Sequence, residues 1–252
     1  MKISQVQKIT LSALLLALTI ILTRITPLQN FPLIPWVRIS LGPALIIFSS
    51  LLCGPLYGAI VGAGSDILGI VLFPNSLGYG INPLFTIVYG LLGILPWLIY
   101  WLIKRIKNPH IPFICLISAS ILMFGALVYF IFFSSTIAAN YNFEMYHKII
   151  IVSVAFVLLA ATIIALFFIN RFFVKRYGDF YYPYKVGFVC LVSEVLLMLI
   201  LNSFVKTITF QVNYWIIFFA QAIVFFINVP LNTFVVQGLL ILTSKIKGQA
   251  LI

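Results

Sequence analysis

Eight apolar runs, at roughly 9–23, 40–53, 55–73, 84–103, 111–135, 149–170, 184–205 and 214–243, take up most of this 252-residue chain. Most are close to the ~20 residues that an α-helix needs to cross ~30 Å of hydrocarbon. In lipid every backbone N–H and C=O must be satisfied within the protein, which leaves helices and closed barrels as the only spanning structures. With 63% hydrophobic and 8% charged residues, the chain lies far from a soluble domain, which is about half apolar and a quarter charged. The expected fold is all-α: one polytopic membrane bundle of about eight helices over 1–252.

The charges orient the bundle. Net charge is +11, from 15 Lys and Arg against 4 Asp and Glu. In a soluble protein that balance would suggest nucleic acid as a partner. Here the cations cluster at the ends of apolar runs and act as topology signals, so no nucleic-acid partner is expected. With the N-terminus inside, eleven Lys and Arg fall on the cytoplasmic side and only Arg24, Arg38, Lys148 and Lys206 fall outside. The positive-inside rule then sets both ends in the cytoplasm. Lys2 and Lys8 before the first run imitate a signal peptide. No small-x-small cleavage site follows, so the run is taken as a retained helix.

Local breakers refine the pattern. Cys53-Gly54-Pro55 predicts a tight turn between two short helices. Pro230 predicts a kink in the last helix, with a neighbouring helix or polar side chain supplying the freed carbonyl. Segment 134–147 is a polar outer loop, and 171–183 is basic and tyrosine-rich, at the inner interface. Cys53, Cys115 and Cys190 lie inside apolar segments, with no CxxC pair, and behave as small apolar side chains.

Several chemistries are excluded by motif. The phosphate-cradling GxxxxGK[ST] loop is missing, so this chain alone is not an ATPase. His110 and His147 stand far apart with no metal-binding spacing, and no GxSxG or paired-carboxylate motif occurs. No metal, cofactor or catalytic residue is expected.

The informative stretch is 9–93. Arg24 and Arg38 lie on the side poor in positive charge and flank a loop stiffened by Pro27, Pro32 and Pro35. Arg offers a planar fork suited to carboxylates, so the pair is a candidate anion clamp. Asp66, after Gly58, Gly62 and Gly64, is a carboxylate inside an apolar helix. Such groups are costly and are usually paired or functional, with Arg24 or Arg38 the expected partner or a ligand the alternative. Glu194 is a second intramembrane acid whose partner the sequence does not name. The loop from Phe73 to Thr86 mixes aromatics, amides and turn residues, which suits stacking on a flat ligand. Tyr79, Asn82, Phe85 and Thr86 are the candidates. Ala13 and Ala17 form a flat stripe that could face a neighbour in this chain or a partner subunit.

The order of these elements resembles the substrate-binding S components of energy-coupling factor (ECF) vitamin transporters, most closely the folate-type members. The resemblance runs through Ile21-Leu22-Thr23-Arg24, Arg38-Ile39-Ser40-Leu41-Gly42-Pro43, Gly54-Pro55-Leu56-Tyr57-Gly58, the Gly62…Asp66…Gly69 helix, Phe73-Pro74, and Phe85-Thr86 with Gly90 and Gly93. A fainter similarity covers 184–246, around Asn228-Val229-Pro230-Leu231-Asn232-Thr233. Two features depart from the family. Its six-helix core would occupy 1–108 and 180–252, with 111–176 an inserted transmembrane hairpin. Asn82-Pro83-Leu84-Phe85-Thr86 also lacks the glycine of the folate-type Pro-Gly-Phe-Thr run.

The resemblance implies a subunit of the bacterial plasma membrane that captures a vitamin on the outer side, docks on a T component through Ala13 and Ala17, and relies on two partner ATPases that use ATP. Folate is the leading cargo, with Arg24 and Arg38 on its anionic tail and Tyr79, Asn82, Phe85 and Thr86 on its flat ring. Pantothenate or a queuosine precursor is the alternative cargo, and a partner-free secondary transporter the alternative class.

Overall fold

The structure is a computed structural model that describes residues 4–24, 39–74, 81–106, 110–133, 144–177 and 183–247. All regular structure among them is helical: α1 (Gln5–Arg24), α2 (Gly42–Cys53), α3 (Pro55–Leu72), α4 (Pro83–Ile103), α5 (His110–Phe133), α6 (Met145–Tyr177), α7 (Pro183–Ser193), a π-helical segment (Glu194–Leu201), α8 (Asn202–Phe210) and α9 (Tyr214–Lys247). The segment from α7 through α8 is one apolar rod, so among the described residues seven elements are long and apolar enough to cross a membrane. The remaining apolar run, 40–53, becomes α2, only 12 residues long, or about 18 Å at the α-helical rise. It need not face lipid, because every residue from Gly42 to Ser50 is buried by α1, α3, α4 and α9.

The turn at Cys53-Gly54-Pro55 forms as the sequence predicts. Gly54 has φ 103° and ψ 170°, a region essentially confined to glycine, and Pro55 opens α3, where its missing N–H costs nothing. α3 and α4 then pack backbone to backbone. A Cβ on Gly58 would strike the Gly93 carbonyl, and one on Gly62 the Tyr89 carbonyl. Small residues allow this approach, which gains dispersion contacts where lipid removes most of the hydrophobic drive for helix association.

Two side-chain bonds lay the long rod along α4. Lys185, at the foot of α7, donates to the carbonyl of Lys104 at the C-cap of α4, 3.1 Å away. At the other end Asn82 Nδ2 donates to Thr209 Oγ1 on α8 at 2.8 Å. α9 packs on α2, α7 and the π-helical segment, and so closes the bundle around α2. The hairpin of α5 and α6 packs instead on α7 and α9, with Leu116, Leu127, Leu159 and Leu166 buried against Phe225, Phe226 and Val229.

That hairpin supplies the partner Pro230 requires. A proline leaves the carbonyl four residues earlier without its helical donor, here Phe226. Thr162 Oγ1 on α6 lies 2.5 Å from that oxygen, and 2.7 Å from the Leu158 carbonyl of its own helix. The hydroxyl is thus within reach of the Phe226 carbonyl, which lacks the donor that a non-proline residue at 230 would supply.

Candidate functional site

The end of the bundle away from the N-terminus gathers the C-terminus of α1, the last turns of α3, the start of α4 and the end of α8. Arg24, the final residue of α1, reaches across to α3. Its Nη2 donates at 3.4 Å to both Oδ1 and the main-chain carbonyl of Asp66. The second carboxylate oxygen of Asp66 accepts from Thr86 Oγ1 at 2.8 Å. The side chains of the ion pair are 5% and 0% exposed. Gly69, one turn beyond Asp66, makes the arrangement possible, since a Cβ there would stand 2.6 Å from Arg24 Nε.

The pair is unevenly satisfied. Both oxygens of Asp66 are engaged, so the carboxylate is an internal anchor. Arg24 uses one nitrogen. Its Nε and Nη1 are buried and meet no hydrogen-bond partner among the described residues. A guanidinium has five N–H donors in a fixed fork, and leaving a buried charged donor unpaired costs ~1–3 kcal/mol or more. Asp66 thus holds the guanidinium in place and neutralises it, while the remaining donors stay available to a further acceptor.

The other candidates divide. Thr86 joins the ion pair through Asp66. Asn82 caps α4, its Oδ1 accepting from Leu84 N at 3.0 Å, and ties α4 to Thr209. Phe85 is 1% exposed and belongs to the main apolar core with Val88 and Leu92, so its ring packs beneath this end of the bundle. Arg38 and Tyr79 lie outside the described residues. Ala13 and Ala17 sit on an exposed face of α1 together with Leu14, Leu18 and Ile21. Of the two faces left open by the sequence, the stripe therefore takes the outward one.

Sequence reasoning singled out Glu194 without its partner and missed a polar stripe on α8. Glu194 opens the π-helical segment and accepts from Asn232 Nδ2 on α9, deep in the interior. On α8, Asn202, Lys206 and Thr209 recur at helical spacing along one face. Lys206 Nζ lies 2.8 Å from the Gln221 side-chain oxygen of α9, with the amide oriented so that its nitrogen faces the Met198 carbonyl. The available signal was that polar stripe within an apolar segment, which topology counting reduces to one outer cation.

The sequence pattern of the family described as "ECF-type riboflavin transporter, S component" matches residues 3–177. The match runs through the hairpin and ends before α7. Among curated proteins, the "Folate transporter FolT" of Clostridium novyi (strain NT) is 38% identical over 64 residues, covering 25% of this chain and 35% of that protein. The aligned part thus spans about a third of that relative. No solved structure gives a significant match. With the family pattern extending over well more than half its length, the chain belongs to the S components of ECF-type transporters.

Proposed function

We propose that this chain is the capture subunit for a vitamin carrying carboxylates, folate or a reduced folate, at the outer end of the bundle. The observation that carries the reading is the buried Arg24 fork with two unengaged donors, held by Asp66 and Thr86. A carboxylate lying against Nε and Nη1 would complete the fork with charge-assisted bonds. Folate carries two carboxylates and riboflavin none, so the geometry favours the cargo named for the Clostridium relative over the one named for the family. Arg38 and Tyr79, outside the described residues, are proposed as further ligand contacts, with Asn82 shaping the rim of the pocket and Phe85 beneath it.

The remaining parts follow the S-component reading. The exposed stripe at Ala13 and Ala17 is the proposed docking face for a T component, with two ATPase subunits driving uptake across the bacterial plasma membrane. Residues 1–108 and 180–252 form the proposed six-helix core, supported by the packing of the α7–α8 rod and α9 on α2 and α4. The hairpin α5–α6 is the proposed insertion. It packs on α7 and α9 while α1 packs on α2 and α3, so it would leave the docking face clear.

Calorimetric titration of the purified chain with folic acid, pantothenate and riboflavin tests the cargo. Folic acid should bind tightly and the other two weakly. Riboflavin binding without folic acid binding would overturn the anionic-cargo reading.

A further inference from the structure

We propose that Thr209, on the last turn of α8, is a positioning residue for the Arg24 receptor: acting through Asn82 and Thr86, it holds the guanidinium fork in the direction the cargo needs. The inference rests on the capture reading above and deepens it.

A line of hydrogen bonds joins α8 to the ion pair. Thr209 Oγ1 donates to the Val205 carbonyl of its own helix at 2.8 Å, which occupies its single proton. Toward α4 the hydroxyl therefore acts as an acceptor, and it takes Asn82 Nδ2 at 2.8 Å. The other end of that amide, Oδ1, accepts from Leu84 N at 3.0 Å and caps α4. Asn82 thus cannot swing toward or away from α8 without disturbing the first turn of α4. One helical turn further along, on the same face, Thr86 Oγ1 donates to Oδ2 of Asp66 at 2.8 Å. Oδ1 of that carboxylate holds Arg24.

The direction of the fork depends on this line. The contacts from Arg24 to Asp66 are 3.4 Å long, at the loose end of the range for such bonds. The bond from Thr86, at 2.8 Å, is the tighter constraint on the carboxylate. Thr86 lies in the first turn of α4, so whatever sets that turn sets the carboxylate. α3 packs along α4 from one side, and on the other side contact with the rod thins from α7 to α8. Just beyond Thr209 the chain also reverses. Gln211 ends α8 in the left-handed region at φ 53°, and Asn213 Oδ1 accepts from Trp215 N to start α9. The Asn82–Thr209 bond pins α4 to the rod beside this reversal. A binding group must be held to within about 0.5 Å by the residues behind it, and Thr209 is the far end of that support.

The test uses the full chain, with calorimetric titration of folic acid into Thr209→Val, Thr86→Val and the double variant. Thr209→Val keeps the branched shape and leaves Asn82 Nδ2 without its acceptor. It should weaken folic acid about fivefold, the worth of one neutral hydrogen bond, and Thr209→Ser should restore the affinity. Once Thr86→Val has cut the line nearer to Asp66, adding Thr209→Val should change the affinity little. Should the valine variant not fold, Thr209→Ala takes its place with the same expectations. Wild-type affinity in a folded Thr209 variant, a serine variant that restores nothing, or an equal loss in both backgrounds overturns the positioning role and leaves the cargo reading standing. If the wild type binds no folic acid, the folate reading falls, and the unfolding temperatures of the same four proteins decide the line by a double-mutant cycle. Coupling between Thr209 and Thr86 upholds Thr209 as the support of the Arg24 site, and additive shifts overturn it.

Discussion

The first four helices and the last four elements of the bundle solve the same problem in opposite ways. From α1 to α4 the helices meet through glycines, and the one buried acid, Asp66, has both oxygens engaged, by Arg24 and Thr86. From α7 to α9 the interior is filled by Phe225, Phe226, Leu191 and Leu199. It is threaded with polar groups such as Ser193, Asn202, Ser203 and Asn228 that have atoms without partners among the described residues. The first region is a rigid frame in which each polar contact has a geometric reason. The second is interrupted by a π-helical segment and a proline, features that recur at functional positions in helices. The pocket we propose lies where the frame meets the interrupted half, with the two spare donors of Arg24 on the frame side and unpartnered polar atoms in the other half.

Breaking the frame should have the largest effect. Asp66→Leu leaves a buried guanidinium without its counter-charge, and removing one partner of a buried pair costs ~3–5 kcal/mol. Thermal unfolding in detergent should show that loss, with much of it recovered when Arg24→Met is added. Full stability of the single variant would mean that the pair does not anchor α1 to α3.

Breaking the interrupted half should cost less. Thr162→Val strips the Phe226 carbonyl of its donor, and a buried unsatisfied acceptor costs ~1–3 kcal/mol. Pro230→Ala restores the helical N–H to the same carbonyl, so in that background Thr162→Val should be nearly neutral. A double-mutant cycle reads the coupling directly. Equal costs in both backgrounds would refute the brace.

The smallest stability effect is expected on α1. Ala13→Trp lies on an exposed face, where substitutions usually stay within about ±0.5 kcal/mol. Ligand binding should survive while co-purification of the T component is lost. Retention of the T component would show that this stripe is not the docking face.

The two regions also differ in how much the sequence revealed. The frame was legible because its information is local and ordered. Gly54-Pro55 needs a turn, the glycines before Asp66 need a close neighbour, and an arginine at the end of the first run needs an acid. Even the carbonyl freed by Pro230 was foreseeable, although the identity of its donor was not. Thr162 is 64 residues from Phe226, and many threonines in apolar helices bond only to their own backbone. The π-helical segment left no mark in composition, because its extra residue per turn is a response to packing. Asn232 as the partner of Glu194 and Gln221 as the partner of Lys206 are likewise tertiary facts. Phe85 shows the converse limit: its place in an aromatic loop suggested ligand stacking, whereas the ring belongs to the core.

At the centre is Arg24 as an anion receptor, held by Asp66 through one nitrogen while its Nε and Nη1 stay available to a ligand. Arg24→Lys isolates it, because a lysine can keep the charge beside Asp66 but cannot present the Nε and Nη1 fork. Titration of the purified variant with folic acid should show affinity reduced tenfold or more, about 1.4 kcal/mol, with the unfolding temperature close to that of the wild type. Unchanged folic acid affinity in a stable Arg24→Lys protein would contradict the account.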